Sequence, residues 1–338
     1  MRRSVVLVSD PIAELQELAQ EMEAAGFEAV WLTDFYNRDA FVRMAACGVA
    51  TSRIKIASGI AYAFARSPVL TAAAAADLDE ITGGRVILGL GTGTKRMQES
   101  WYGLMFESPA PKAAEVVRLL RALWQAPGAQ PFRFDGRFYK IAIDFFGRPG
   151  RVRKDIPVYM AGVNRVMVHT AGTVADGLVG HPLYSRRYIA EVVRPALEDG
   201  LASTGRAHDA FDLAGYVITS IADDREQARL EARRQIGFYA TTLTYDAILD
   251  LHGWQAEKEA IRAAWRKLDM RALADAVSDA MVDQIAIAGT ADECREQLGR
   301  YEGLLDHVLL YPPSVGMRAE RVRENYRLIA EMFGPGRG

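Results

Sequence analysis

A glycine-rich segment of this chain has the composition of an anion-binding turn. The apolar run Val86–Leu90 is typical of a buried parallel strand, and it leads directly into Gly91-Thr92-Gly93-Thr94. Because glycine has no Cβ, the backbone N–H groups of such a turn can approach a phosphate closely. The spacing departs from the dinucleotide-binding fingerprint, since Thr94 stands where the third glycine of G-x-G-x-x-G counted from Gly89 belongs. The segment predicts a phosphate-binding turn, with a tight turn that binds no ligand as the alternative.

Two further side chains could hold or transfer a proton, and we treat both as candidate catalytic residues. Asp34 follows the predicted strand Ala29–Leu32, and His181 follows the predicted strand Leu178–Gly180. An acid at a strand end can bind the polar edge of a cofactor or a substrate amine. Asp34 could equally cap the next segment or pair with Arg38. A lone histidine such as His181 is more often a hydrogen-bonding structural residue than a catalyst.

Strand and helix patterns alternate along the whole chain and must position these residues. The predicted strands are Val5–Val8, Ala29–Leu32, Ile54–Ser58, Val86–Leu90, Pro157–Met160, Leu178–Gly180, Leu213–Ile221 and His307–Leu310. A helical pattern follows each strand, and no linker or shift in composition divides the sequence. The alternation predicts one α/β domain over residues 1–338, a (β/α)8 TIM barrel, with an open doubly wound sheet as the alternative.

Two segments interrupt the alternation. Residues 127–153 are rich in Gly, Pro and aromatic side chains and predict a loop excursion that could hold a hairpin. Residues 245–283 predict a helical insertion late in the chain. At helix starts, Asp10-Pro11 predicts an N-cap followed by the first helical residue, and the spacing of Thr290 and Glu293 predicts a capping box.

A barrel of this kind carries its active site at the carboxyl ends of its strands. That rule selects a small set of candidate site residues from the chain. The set comprises Asp34, Ser58, Gly59, Ile60, Gly91, Thr92, Gly93, Thr94, Lys95, Ala161, Gly162, Val163, Asn164, Arg165, His181, Tyr216 and Tyr311.

Composition excludes several classes of protein. The formal net charge of the 338 residues is −2, with Lys and Arg scattered, so nothing indicates nucleic-acid binding. Cys47 and Cys294 match no disulfide or metal framework, and no apolar stretch approaches the length of a membrane helix. We expect a soluble cytoplasmic protein without a bound metal. The other histidines, which we expect to be structural, are His169, His208, His252 and His307.

At this point the sequence resembles a known family. The segments that carry the resemblance are Trp31–Asp39, Ser58–Ile60, Arg66–Pro68, Leu78–Gly93, Ile156–Ala161, Ala175–Gly177 and Ile287–Cys294. They are similar to the bacterial luciferase-like superfamily, and within it to the branch that uses the deazaflavin coenzyme F420, notably the methylenetetrahydromethanopterin reductases. The resemblance covers nearly the whole chain.

The resemblance implies a homodimer of barrels and a non-proline cis peptide bond at Gly59–Ile60. In F420-dependent relatives the corresponding bulge backs the cofactor ring. The phosphate-binding loops would correspond to Gly91–Thr94 and Gly162–Arg165, the second of which opens a helix. The implied cofactor-binding residues are Asp34, Ser58, Gly59, Ile60, Gly91, Thr92, Gly93, Thr94, Ala161, Gly162, Val163, Asn164 and Arg165.

One position departs from the family pattern. Many relatives have histidine where this chain has Phe35, and the first strand lacks the carboxylate that reductases of this branch place near the cofactor. Phenylalanine cannot transfer a proton. Either the hydride acceptor is already cationic, or Asp34, Tyr36 or His181 has taken over the acid role, or the protein binds cofactor with little activity.

We therefore predict an oxidoreductase that transfers a hydride between F420 and a small organic substrate. The acceptor would be a C=N or C=C bond, or the reaction would run in reverse from an alcohol. An FMN-dependent luciferase-like monooxygenase is the first alternative, and a non-catalytic flavin- or deazaflavin-binding protein is the second.

Two further segments have structural predictions. The run Ala72–Ala76 is expected to pack a helix closely and could mark the subunit interface. The aromatic side chains of the 127–153 excursion could form a lid over an apolar substrate, or a satellite hydrophobic cluster. These side chains are Phe132, Phe134, Phe138, Tyr139, Phe145 and Phe146.

Overall fold

A closed barrel of parallel strands forms the centre of the molecule. The computed structural model describes residues 1–127, 130–144 and 153–334. The strands are β1 (Arg2–Val6), β2 (Ala29–Leu32), β3 (Lys55–Ser58), β4 (Ala61–Tyr62), β5 (Val86–Gly91), β6 (Phe132–Asp135), β7 (Lys140–Ile143), β8 (Val158–Gly162), β9 (Gly177–Gly180), β10 (Asp212–Ile221), β11 (Ala286–Gly289) and β12 (His307–Tyr311). Eight of them pair in the order β1-β2-β3-β5-β8-β9-β10-β12 and close because β12 also pairs with β1. The predicted TIM barrel is confirmed.

Helices surround this barrel. They are α1 (Ile12–Ala25), α2 (Ala40–Ala50), α3 (Pro68–Thr82), α4 (Pro109–Gln125), α5 (Arg165–Val174), α6 (Arg186–Tyr188), α7 (Arg194–Ala202), α8 (Arg225–Ala240), α9 (Asp246–Leu251), α10 (Gln255–Arg266), α11 (Met270–Asp275), α12 (Asp279–Ile285), α13 (Ala291–Gly299) and α14 (Ala319–Phe333). Helices α9 to α12 form the predicted late insertion. No helix in the described ranges has the length and apolar content needed to cross a membrane.

Helix ends follow local sequence signals, with one exception. Gly26 ends α1 with a left-handed φ of 86°, and Thr290 and Glu293 form the predicted capping box of α13. The prediction for Asp10 is wrong, because the cap of α1 is Pro11 and no side chain caps it. The carboxylate of Asp10 instead pairs with the buried side chain of Arg43 on α2. A long-range ion pair has replaced the local cap.

The parallel strand β11, which lies outside the closed ring of eight, was not predicted. It pairs with residues Ile218–Ile221 of β10, while β9 pairs with residues Asp212–Gly215 along the same strand. Strand β11 has only 4 residues and follows the helix α12 without a break, so its apolar run resembles the end of a helical face. Only its pairing with the long strand β10 distinguishes it.

The 127–153 excursion contains the antiparallel hairpin β6–β7. The buried carboxylate of Glu115 on α4 accepts hydrogen bonds from the backbone N–H groups of Arg137, Phe138 and Tyr139, at 2.9, 2.8 and 2.7 Å. These bonds fix the turn of the hairpin to α4. Phe132 joins the core, while Phe134 and Tyr139 pack against it, which favours the satellite cluster over a lid. Phe145 and Phe146 lie outside the described residues.

A buried polar network fills the amino-terminal end of the barrel. Oγ of Ser4 lies 2.6 Å from Nε2 of His307, and Nδ1 of His307 lies 3.2 Å from Oδ2 of Asp212. The Tyr159 hydroxyl donates to the same carboxylate at 2.6 Å, and the guanidinium of Arg2 lies 2.6 Å from its other oxygen. The spacing resembles a hydrolytic triad, but Ser4 is fully buried and faces the end opposite the mouth. The network is structural, as expected for His307.

Candidate active site

A short ridge between β3 and β4 rises at the carboxyl-terminal mouth of the barrel. The Gly59–Ile60 peptide bond within it is cis, as the resemblance implies. The hydroxyl of Ser58 donates to the carbonyl of Gly89 at 2.8 Å and accepts from its N–H at 2.9 Å. The ridge is thereby joined to β5, and the Ser58 hydroxyl, fully buried, supports the ridge from below.

The three glycines at the end of β5 and in the turn after it have different roles. A Cβ on Gly89 would overlap the carbonyl oxygen of Ser58, and a Cβ on Gly91 would overlap the side chain of Ile60. Gly93 has a φ of +65°, a conformation that favours glycine. The first two glycines therefore make room for the ridge, and only the third forms the turn that the phosphate interpretation requires.

Asp34 ties the ridge to its neighbours. Its buried carboxylate accepts hydrogen bonds from the N–H groups of Ala40 and Tyr62, at 2.6 and 2.9 Å. It also forms an ion pair with Arg66, with Nη1 at 2.7 Å from Oδ2. Its own N–H donates to the carbonyl of Ile60 at 2.9 Å. Arg38, the partner considered from sequence, instead lies over the ring of Phe35.

The first predicted phosphate loop, Gly91–Thr94, presents free backbone donors. The N–H groups of Gly93 and Thr94 have no acceptor within the described residues. Behind the loop lies the fully buried Gln98, whose Nε2 donates to the carbonyl of Thr92 at 2.8 Å. The Oε1 atom of Gln98 is buried without a hydrogen-bond partner. An orphaned acceptor of this kind indicates a missing donor.

The second predicted loop, Gly162–Arg165, is held from behind by two tyrosines. The hydroxyl of Tyr184 donates to the carbonyl of Gly162 at 2.6 Å, and that of Tyr188 donates to the carbonyl of Val163 at 2.9 Å. Because C=O and N–H point in opposite directions across a trans peptide, the next N–H groups are directed away from the tyrosines. The N–H groups of Val163 and Asn164 find no acceptor in the described part of the chain.

The two loops are neighbours, because β5 pairs with β8 in the register Leu90 to Met160. Their free N–H groups and the amino terminus of α5 suit an anion such as a phosphate. Ala161 lies between them, at the level of Gly91. These residues therefore fit the phosphate group of a cofactor.

His181 lies just beyond β9, within a group of aromatic side chains. Its ring stacks on Tyr245 with centroids 3.9 Å apart and meets Tyr239 edge-on at 4.9 Å. Nδ1 accepts a hydrogen bond from the N–H of Leu183 at 3.1 Å, so the neutral ring carries its proton on Nε2. Burial lowers the pKa of His181 to about 3. At neutral pH this histidine can donate a hydrogen bond but is not a cationic acid.

Phe35 belongs to an aromatic cluster on the rim of the mouth. Its ring lies 4.9 Å from that of Tyr36 and 5.2 Å from that of Trp101, between centroids. Tyr36 is 68% exposed. Beyond the end of β1, the N–H of Val8 donates to the hydroxyl of Tyr326 at 3.0 Å. The two positions where the resemblance implies a histidine and a carboxylate are thus apolar here.

The structure brings most of the predicted residues together at one mouth. Tyr311 ends β12, but Tyr216 lies in the middle of β10 rather than at its end, because that strand extends to Ile221. Sequence reasoning missed Arg66 and Gln98 as site residues. Arg66 lies within the segment Arg66–Pro68, whose similarity to the family was a signal that could have found it. Nothing local distinguishes Gln98.

The closed strand order defines the chain as a (β/α)8 barrel, and the free donor groups at the carboxyl ends of its strands mark a candidate ligand site at its mouth. The family described as luciferase-like monooxygenase matches residues 2–307. The chain belongs to this luciferase-like family of oxidoreductases.

Individual relatives extend this finding. An uncharacterized protein of Mycobacterium tuberculosis is 34% identical over 310 residues, which cover 89% of this chain and 91% of that protein. The 5,10-methylenetetrahydromethanopterin reductase of Archaeoglobus fulgidus is 31% identical over 292 residues, covering 84% of this chain and 85% of the reductase. The solved structure of the coenzyme F420-dependent tetrahydromethanopterin reductase from Methanopyrus kandleri matches with a TM-score of 0.85 and 25% identity. The structural match covers 98% of this chain and 97% of the reductase chain.

Proposed function

We propose that this enzyme transfers a hydride between the deazaflavin coenzyme F420 and a small organic substrate. The observation that carries the proposal is the pairing of two adjacent loops of free N–H groups, Gly91–Thr94 and Gly162–Arg165, with the Gly59–Ile60 ridge beside them. The similarity to F420-dependent reductases supports the choice of coenzyme. When bound, the coenzyme would supply the hydride, and the protein would orient it and exclude water.

The charge state of the site favours an acceptor that needs no proton from the protein. The oxygens of Asp34 are already occupied, because they accept hydrogen bonds from Arg66 and two backbone N–H groups at the base of the ridge. His181 is neutral, because burial lowers its pKa to about 3. Burial raises the pKa of Tyr239 well above its ordinary value and that of Tyr245 to about 12. A cationic C=N acceptor takes up a hydride with no further proton, so we rank it above a neutral C=C acceptor or a carbonyl.

Equilibrium titration tests the coenzyme. We expect the purified chain to bind F420 more tightly than FMN, and tight FMN binding without F420 binding would reverse the assignment. A panel of cyclic iminium ions and enoates, offered with reduced F420, then tests the acceptor. We expect turnover of iminium ions at rates that vary little between about pH 5 and 8, because burial lowers the pKa of His181 to about 3 and raises the pKa values of Tyr239 and Tyr245. Faster turnover of enoates would contradict this preference.

An FMN-dependent monooxygenase is the second candidate, because the matching family is described by that activity. It would require oxygen consumption with reduced FMN. Binding of reduced F420 with no turnover across the panel, and no oxygen consumption with reduced FMN, would instead indicate a non-catalytic binding protein.

We also propose that the chain forms a homodimer through α2 and α3. These helices pack against each other, and each carries an exposed apolar side chain, Val49 at 67% and Leu70 at 66% exposure. Of the run Ala72–Ala76, only Ala73 is exposed, so the alanines mainly pack inward and the larger side chains would form the contact. We expect Val49→Asp to convert a dimer to a monomer in analytical ultracentrifugation. Leu243→Asp, at an equally exposed leucine elsewhere, should leave the mass unchanged. A monomeric unmodified chain would refute the proposal.

A further inference from the structure

Tyr216 connects the ridge to the opposite side of the barrel. In the closed strand order, β3 and β10 are separated by β5, β8 and β9 in one direction and by β2, β1 and β12 in the other. They are therefore diametrically opposed. The hydroxyl of Tyr216 nevertheless donates a hydrogen bond to the carbonyl oxygen of Gly59. Its side chain spans the barrel interior to reach the ridge.

The ridge has little freedom to move away from this contact. A Cβ on Gly59 would overlap the Tyr216 hydroxyl and would lie 3.0 Å from Cε3 of Trp31, so the residue is enclosed on two sides. The ring of Tyr311 meets that of Tyr216 edge-on, with centroids 5.6 Å apart. Burial raises the pKa of Tyr216 well above its ordinary value, so the hydroxyl keeps its proton and remains a donor.

Ile60 transmits the position of Gly59 to the cofactor loops. Its side chain lies against Gly91, at the start of the first loop, where Ala161 also approaches. The height of the ridge therefore sets the distance between the surface that would carry the cofactor ring and the loops that would hold its phosphate. A change at Gly59 would alter that distance without removing any loop donor.

We infer that Tyr216 is a positioning residue that fixes the height of the Gly59–Ile60 ridge beneath the cofactor ring. The inference rests on the proposed function, because it requires the ring to lie on the ridge. A reduced deazaflavin ring folds about its sp³ carbon, whereas the oxidised ring is flat. A raised ridge supports the folded form better, so Tyr216 should favour the reduced coenzyme over the oxidised one.

The test is the variant Tyr216→Phe, which keeps the ring and removes the hydroxyl. Affinities for oxidised and reduced F420 are measured by equilibrium titration, together with the reduction potential and absorption spectrum of the bound coenzyme. We expect the affinity for reduced F420 to fall by up to about tenfold, the scale of one hydrogen bond. The affinity for the oxidised form should change less, so the potential of the bound coenzyme should fall.

Tyr301→Phe is the matched control, because the buried hydroxyl of Tyr301 donates to the carbonyl of Ile285 at 3.2 Å, away from the ridge. It should lower thermal stability without changing the ratio of the two affinities. If Tyr216→Phe lowers the affinities for oxidised and reduced F420 equally, or lowers neither, Tyr216 is only a structural residue and the inference is wrong. If the unmodified chain binds no F420, the proposed function itself is wrong, and titration of the unmodified chain alone is enough to show this.

Discussion

The carboxylate of Asp34 and the guanidinium of Arg66 form an ion pair at the base of the ridge, with Nη1 2.7 Å from Oδ2. Asp34 joins the end of β2, the start of α2 and the strand β4 through its other hydrogen bonds. A second carboxylate, that of Asp39, also pairs with Arg66 from a more exposed position. Together these contacts make Asp34 a structural junction beneath the candidate site.

Replacing Asp34 by Asn should therefore destabilise the fold. The amide NH₂ group would face donors from Ala40, Tyr62 or Arg66, leaving at least one of them unpaired. We expect the free energy of unfolding to fall by about 1–3 kcal/mol, measured by urea denaturation. Asp39→Asn, at the exposed partner, should cost less than about 1 kcal/mol. Equal effects of the two substitutions would show that the buried pair has no special role.

Stability should depend on pH through Asp212 at the other end of the barrel. Burial by itself would raise the pKa of this carboxyl, but hydrogen bonds from His307 and Tyr159 and the charge of Arg2 hold it below its ordinary value. A depressed pKa stabilises the fold above the unfolded-state value of about 3.9, and this stabilisation is lost as the pH falls through the folded-state pKa.

Asp212→Asn should thus be less stable than the unmodified chain at pH 7, by about 1–3 kcal/mol. The difference between the two should begin to shrink as the pH falls below about 4, where the carboxyl of the unfolded chain becomes protonated, and should vanish below the lower pKa of the folded chain. Urea denaturation at a series of pH values measures both. The exposed Asp209→Asn serves as the control, and its effect should stay small across the series. A difference for Asp212→Asn that is constant with pH would contradict the assignment.

Gly89→Ala should disturb the ridge by crowding. The added methyl group would overlap the carbonyl oxygen of Ser58, and neither backbone can yield easily because the Ser58 hydroxyl joins the two strands. We expect a loss of about 1–3 kcal/mol in the free energy of unfolding, together with weaker cofactor binding. Gly299→Ala, at a helical glycine with open space around it, should leave the free energy of unfolding in the same urea denaturation unchanged or raise it. An equally neutral Gly89→Ala would show that the strands separate readily.

The second loop should bind the phosphate group specifically. Arg165→Ala removes an exposed cation next to the free N–H groups of that loop. We expect F420 binding to weaken by about two- to tenfold, more at low salt, as for a single charge-assisted contact. Binding of the same deazaflavin without its phosphate should be unchanged, and so should binding by Arg295→Ala. Equal weakening for both ligands would place the phosphate elsewhere.

The sequence by itself determined the barrel, because strand and helix patterns arise from neighbouring residues and their alternation predicts a parallel sheet. It also located the mouth, since the carboxyl ends of parallel strands meet on one side. The first loop was found by its glycines, whereas the cis bond at Gly59–Ile60 and the phosphate role of the second loop came from the resemblance to relatives, and the cis bond is where that resemblance implies.

Only the tertiary structure decided what each residue does there. Gly89 and Gly91 looked like parts of a phosphate turn, yet they are glycines because Ser58 and Ile60 occupy the space of a side chain. The contact between Gly59 and Tyr216 joins positions 157 residues apart, on opposite strands. No local pattern encodes such a contact, because its existence depends on how the barrel closes and on which side chains can cross its interior.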